Sequence, residues 1–147
     1  MKETTAKKFW LIVASRDHVK TGSENGFAQS CHGKKTWISK PKKGDKVVFY
    51  SSKIEFGNTS KENKLMKFTA MGTFNSDEIT TSEISEKTFF RRAVDFEKII
   101  QEIPIKNLLN KLEFIKNKDR WGIEVRNGMR EIPKNDFLLI ENLMLNE

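Results

Sequence analysis

The apolar positions of this chain fall into a few short, dense runs set between long polar stretches. Phe9-Trp10-Leu11-Ile12-Val13-Ala14 is apolar at every position and rich in β-branched and aromatic residues. The run is too short for an ordinary helix and apolar on both parities, so it predicts a central strand buried on both faces. Lys46-Val47-Val48-Phe49-Tyr50-Ser51 predicts a second such strand. Leu65–Phe74 places Met66, Phe68, Ala70 and Gly72 on one parity and reads as a half-buried strand, with Gly72 marking a bulge or a close approach. Thr88–Phe96 alternates imperfectly and reads as a strand, as does Trp121–Val125. Helical spacing occurs twice. Ile105, Leu108, Leu109 and Leu112 predict a short helix over Lys106–Leu112, and Phe137, Ile140 and Met144 predict a last helix opening at Pro133 with Asp136 in its first turn.

The polar stretches carry the punctuation. Ser15 is placed as an N-cap with Asp17 in the first turn of a short helix, Arg16–Lys20, ending near Gly22. Ser39–Asp45 contains Pro41 and Gly44 and reads as a turn. Lys53–Lys64 reads as a mobile loop, and the acidic, Ser/Thr-rich Asn75–Lys87 as a loop or sheet edge. Asn127-Gly128 is a turn dipeptide. Five or six strands with short helices between them, mixed rather than alternating, predict an α+β fold built on a partly open β-barrel, not a doubly wound parallel sheet.

Composition narrows the function classes. The 147 residues suit one domain, 1–147. Lys and Arg number 27 against 20 Asp and Glu, a formal net charge of +7, which favours a polyanionic partner or an acidic surface. One cysteine excludes an intramolecular disulfide and a multi-cysteine zinc site, and suits a reducing, cytoplasmic location. No apolar run approaches the ~18 residues of a membrane span, and Phe9–Ala14 is too short for a signal peptide. Neither a metal nor a cofactor is expected, nor contact with a membrane.

The chemically unusual stretch is Asn25–Lys35, glycine-bounded and carrying Phe27, Gln29, Ser30, Cys31 and His32 ahead of Lys34 and Lys35. It reads as a loop forming one wall of a pocket for a flat, hydrogen-bonding ligand on an anionic backbone. Phe27 suits stacking on a base or anchoring the loop; Gln29 and Ser30 suit a base edge or a backbone contact. Cys31 and His32 evoke a nucleophile and its base, but neighbours in sequence seldom adopt that geometry and no third orienting group is evident. His18 suits capping or packing beside the first strand, or lining the pocket mouth. Arg91 and Arg92 face opposite ways on a strand, so at most one lines the pocket; Arg91, next to Phe90, is preferred. Lys34, Lys35, Lys40, Lys42 and Lys43 are the densest basic stretch, with Arg126 and Arg130 as further rim candidates. Trp10 belongs to the core, Trp121 reaches either core or pocket, and Trp37 suits either core or a nucleic-acid surface.

Phe9–Val19, Gly26–Lys34, Lys42–Ser51, Phe89–Phe96, Arg120-Trp121-Gly122 and the closing Gly128–Ile132 with Asp136–Ile140 together resemble the EVE domain family, in order and over almost the whole chain. The resemblance implies a PUA-like β-barrel, related to the YTH and ASCH domains, and binding of nucleic acid through a modified base flipped into a pocket. The likeness to YTH domains places the cage at Ser15, Phe27–Ser30, Phe89-Phe90 and Asn127. Tryptophan walls there are phenylalanine here, and an acidic cage residue is Asn127, so a modified pyrimidine is at least as plausible a ligand as N6-methyladenine.

The expected function is therefore a non-catalytic reader of single-stranded or modified DNA or RNA, acting as a monomer. A base is sandwiched by Phe27 and the Phe89/Phe90 pair. Gln29, Ser15 and Asn127 satisfy its edge, and basic residues hold the phosphates. The alternatives are an enzyme acting on a nucleoside or small ligand in the same pocket, and a protein-interaction module. A nuclease partner is conceivable by resemblance to defence-associated readers.

Overall fold

A computed structural model describes residues 7–29, 35–126 and 128–146. Its central strand, β1 (Phe9–Val13), pairs in parallel with β3 (Lys46–Lys53) and antiparallel with β7 (Met129–Ile132). Alternate side chains leave β1 on opposite faces. Trp10 and Ile12 enter one apolar cluster with Val19, Val47, Phe49, Phe74 and Val94. Phe9 and Leu11 enter another with Tyr50, Phe68, Phe137 and Ile140. This double burial is why the segment is apolar at every position.

A parallel pair needs a crossover, which α1 (Arg16–Asn25), β2 (Phe27–Gln29) and the following turns supply. β3 continues antiparallel into β4 (Lys64–Ile84) and β5 (Lys87–Phe96), and β2 adds to the outer side of β5. The sheet runs β2-β5-β4-β3-β1-β7, with the two-residue β6 (Ile103–Pro104) against β4, and it curls into a half-barrel. The final helix, α2 (Lys134–Leu145), buries Phe137, Ile140 and Met144 as its spacing predicts.

Several elements differ from their sequence reading. α1 runs on to Asn25, because Gly22 is an approach point and not a stop: a Cβ there would lie 2.5 Å from the carbonyl oxygen of Phe27. The stop is Gly26, left-handed at φ 78°, whose N–H donates to the Gly22 carbonyl at 2.7 Å. Phe27–Gln29, read as loop, is a strand. Asn75–Lys87, read as loop or edge, contains the outer half of β4 and the start of β5. From the Phe74–Val94 pair to the Ile79–Arg92 pair, β4 takes five residue steps while β5 takes two, so the polar residues form a bulge. Trp121–Val125 is a 3₁₀ turn, not a strand, with Trp121 half-buried and Val125 buried. The helix expected over Lys106–Leu112 is a 3₁₀ turn, Ile105–Leu108, followed by turns. The polar 53–64 segment is tied down by buried Asn63, which accepts from Glu55 N–H and donates to the Glu55 and Asn58 carbonyls. Gly72 is the expected close approach: a Cβ there would lie 2.4 Å from the Asp95 carbonyl oxygen.

Candidate functional site

The β2–β5 pairing builds the site. Opposed residues of an antiparallel pair share a face, so Gln29 lies beside Arg91, and Phe27 beside Ala93. The Arg91 guanidinium carbon stands 3.9 Å from the Phe27 ring centroid. Its Nε donates to Gln29 Oε1 at 2.7 Å. All three side chains are half-buried. Stacking and the Nε bond fix the guanidinium plane, and leave both terminal nitrogens without a partner among the described residues. The amide nitrogen of Gln29 is likewise unpartnered there. The unpartnered nitrogens of the cluster are all donors, the complement of a phosphate or of a base edge rich in carbonyl and ring-nitrogen acceptors.

Alternation along β5 puts Phe89 on the Arg91 face and Phe90 on the other. Phe90 packs against the cluster holding Phe74 and Val94, and Arg92 beside it is 1% exposed. Phe27 and Phe90 therefore lie on opposite faces of the sheet, and the sandwich between them expected from sequence is not formed. Arg92 instead ties structure together: Nη1 donates to the Ile38 carbonyl and Nη2 to the Ser76 carbonyl, both at 3.0 Å, with Asp77 3.8 Å away. Burial pulls its pKa below the ordinary guanidinium value, and Asp77 and Asp45 pull it back up. Its Nε has no hydrogen-bond partner among the described residues.

The remaining expected residues are dispersed. Ser15 sits at the other end of α1 from Phe27, about 15 Å along the helix by its rise, with its hydroxyl on the Asp17 carboxylate. Burial raises the Asp17 pKa, but the Ser15 hydroxyl, the N–H groups of Phe56 and His18 and the His18 charge outweigh it, leaving the carboxyl below its usual value. Arg130 pairs with Glu124 at 2.7 Å and lies over Phe114, so it is not a free rim group. Arg126 and Lys35 are exposed. Ser30, Cys31, His32, Lys34 and Asn127 lie outside the described residues. Trp10 is core, donating from Nε1 to buried Asp45 at 2.9 Å. His18 is exposed and stacks on Phe56 at 5.0 Å between centroids.

A cleft of about 400 Å³ lies elsewhere, between β1 and α2, floored by Phe9 and Phe137 and rimmed by Lys7, Lys46 and Lys134. It contains none of the expected site residues. No cluster of three or more metal-ligating side chains occurs among the described residues, nor does any helix there have the length and apolarity to cross a membrane.

Sequence reasoning selected Phe27, Gln29 and Arg91 separately but missed their stacking on one another. An arginine and an amide of like parity on two strands were the available signal, and β2 was not recognised as a strand.

A curled mixed sheet with a helix against each apolar cluster defines a PUA-like α+β domain. The NMR structure of Rpa0253 from Rhodopseudomonas palustris is similar at a TM-score of 0.57, with 11% identity over 93% of this chain and 92% of that one. So is the N-terminal domain of Staphylothermus marinus McrB, at a TM-score of 0.59 and 9% identity, covering 92% of this chain and 94% of that one. The EVE domain family model matches residues 8–143. A UPF0310 protein of Mycolicibacterium gilvum is 39% identical over 136 residues, spanning 92% of this chain and 94% of its own. The chain belongs to the EVE domain family, whose members commonly bind nucleic acid.

Proposed function

We propose that this protein is a non-catalytic nucleic-acid-binding domain that engages single-stranded or modified strands through the Phe27–Gln29–Arg91 cluster. One observation carries the reading: a guanidinium held by a ring on one side and an amide at its Nε, with its terminal fork unpartnered among the described residues. A fork fixed before binding loses less side-chain entropy on contact than a free one. Its donors suit a phosphate, or the carbonyl edge of a pyrimidine, better than the N–H of N6-methyladenine. Phe89, two residues along the same face of β5, supplies a stacking wall. The clamp is built within one chain, so a monomer suffices.

Fluorescence anisotropy with labelled single strands, with and without a modified pyrimidine, at two salt concentrations, tests the reading. Arg91→Lys keeps the charge but loses the planar fork and its stacking, and is expected to weaken binding about tenfold or more. Equal affinity of the lysine variant, or no salt-dependent binding by the unsubstituted protein, overturns it.

A further inference from the structure

An exposed tryptophan stands in the most basic segment of the chain. Trp37 is 47% exposed, while its neighbour Ile38 is 2% exposed. The turn that carries them is held on several sides. Ser39 N–H donates to the Lys35 carbonyl, the Ser39 hydroxyl to the Thr36 carbonyl, and Lys40 N–H to the Trp37 carbonyl. From below, the buried Arg92 Nη1 holds the Ile38 carbonyl at 3.0 Å. Trp10 meets the Trp37 ring edge-on, 6.5 Å between centroids and 74° between planes. The indole is therefore presented to solvent by a fixed scaffold. Lys35, Lys40, Lys42 and Lys43 surround it in sequence, all exposed, with no acidic residue among positions 35–44. The nearest carboxylate in sequence, Asp45, is buried and occupied by the N–H groups of Lys8, Lys42 and Trp10, and Asp77, from the β4 bulge, accepts the Lys43 N–H at 2.7 Å. The Lys40 ammonium stands 5.1 Å from the Trp37 ring centroid.

We infer that Trp37 is a second nucleotide subsite: the indole stacks on an unpaired base, and Lys35, Lys40, Lys42 and Lys43 hold the flanking phosphates. A planar ring fixed outward amid cations is the arrangement that binds single strands without reading their sequence. Lys40 occupies the ring when no base is present, and a base frees its ammonium for a phosphate. The subsite differs from the Arg91 clamp. Arg92, which anchors the Trp37 turn, projects from the face of β5 opposite to Arg91. This inference rests on the proposed nucleic-acid binding but assigns it a surface that the clamp does not include.

The test uses the full chain with dT10 and rU10, anisotropy for affinity, and tryptophan emission as a direct readout. Trp37→Ala is expected to weaken binding about five- to fifty-fold with little change in salt slope, and Trp37→Phe by about threefold or less. Binding quenches emission in the unsubstituted protein, and the quench disappears in Trp37→Phe while Trp10 and Trp121 remain. Replacing Lys40, Lys42 and Lys43 together by Gln lowers the salt slope by about two. Far-UV circular dichroism and melting establish that the variants fold. Trp37→Ala binding as tightly as the unsubstituted chain, while Arg91→Lys binds weakly, overturns the subsite and leaves the clamp standing. No binding of either strand by the unsubstituted chain overturns the subsite, and the clamp falls with it only if a strand carrying a modified pyrimidine also fails to bind.

Discussion

At the residue scale, polar side chains hold the positions that the apolar clusters leave open. Asp45 gathers three donors, from Lys8, from Trp10 of β1 and from the turn before β3, and Arg92 bridges the Trp37 turn and the β4 bulge. Asp17 does similar work on the surface: its N–H donates to the Ile54 carbonyl, and its carboxylate accepts from the Phe56 N–H. Because its folded pKa is lowered, this anchoring is complete above the ordinary carboxylate value near 4 and is lost as pH falls through the lower folded value. The Phe56 amide is therefore expected to keep one chemical shift from pH 7 to about 4.5 and to move only below that, with Asp17→Asn abolishing the step. A step that persists in Asp17→Asn would overturn this assignment.

At the element scale, one helix-to-strand contact sets the position of the clamp. Gly22 lets α1 lie against β2 so closely that a Cβ would stand 2.5 Å from the Phe27 carbonyl oxygen. In an exposed helix, Gly→Ala gains about 1 kcal/mol. Here overlap with backbone outweighs that gain, since relieving it requires β2 to shift. Gly22→Ala is expected to lose about 2–4 kcal/mol in denaturant unfolding and to weaken oligonucleotide binding through displaced Phe27. A more stable variant would show that the strand moves freely. The same contact explains why the end of α1 was misplaced from sequence: two glycines four residues apart offered two stops, and only the tertiary neighbour of Gly22 separates them. The outer β4–β5 hairpin was illegible for a different reason. Residues such as Asp77, Glu78 and Glu83 are exposed, so no burial imposed a period of two on them.

At the scale of the whole molecule, the charge of +7 sets the long-range behaviour. If Lys35, Lys40, Lys42 and Lys43 each neutralise a phosphate, at a slope of ~0.7 per contact, raising salt from about 50 to 200 mM weakens binding about fifty-fold. A slope near zero would exclude the lysine segment from the interface. Adjacent Arg91 and Arg92 divide roles by parity alone: one holds the fold together, and the other keeps a fork unpartnered among the described residues.

The sequence by itself determined the elements whose side chains are sorted by burial. β1 and β3 are apolar on both parities because each is covered on both faces, and α2 shows its buried stripe because one side meets the core. It determined the charge, the fold class and the residues from which a site had to be drawn. Tertiary structure alone decided how those residues combine. Strand register brought Gln29 and Arg91 together across 62 positions of chain, laid Phe27 under the guanidinium, and turned Phe90 to the core. Such pairings depend on which strands become neighbours, and local periodicity carries no information about that.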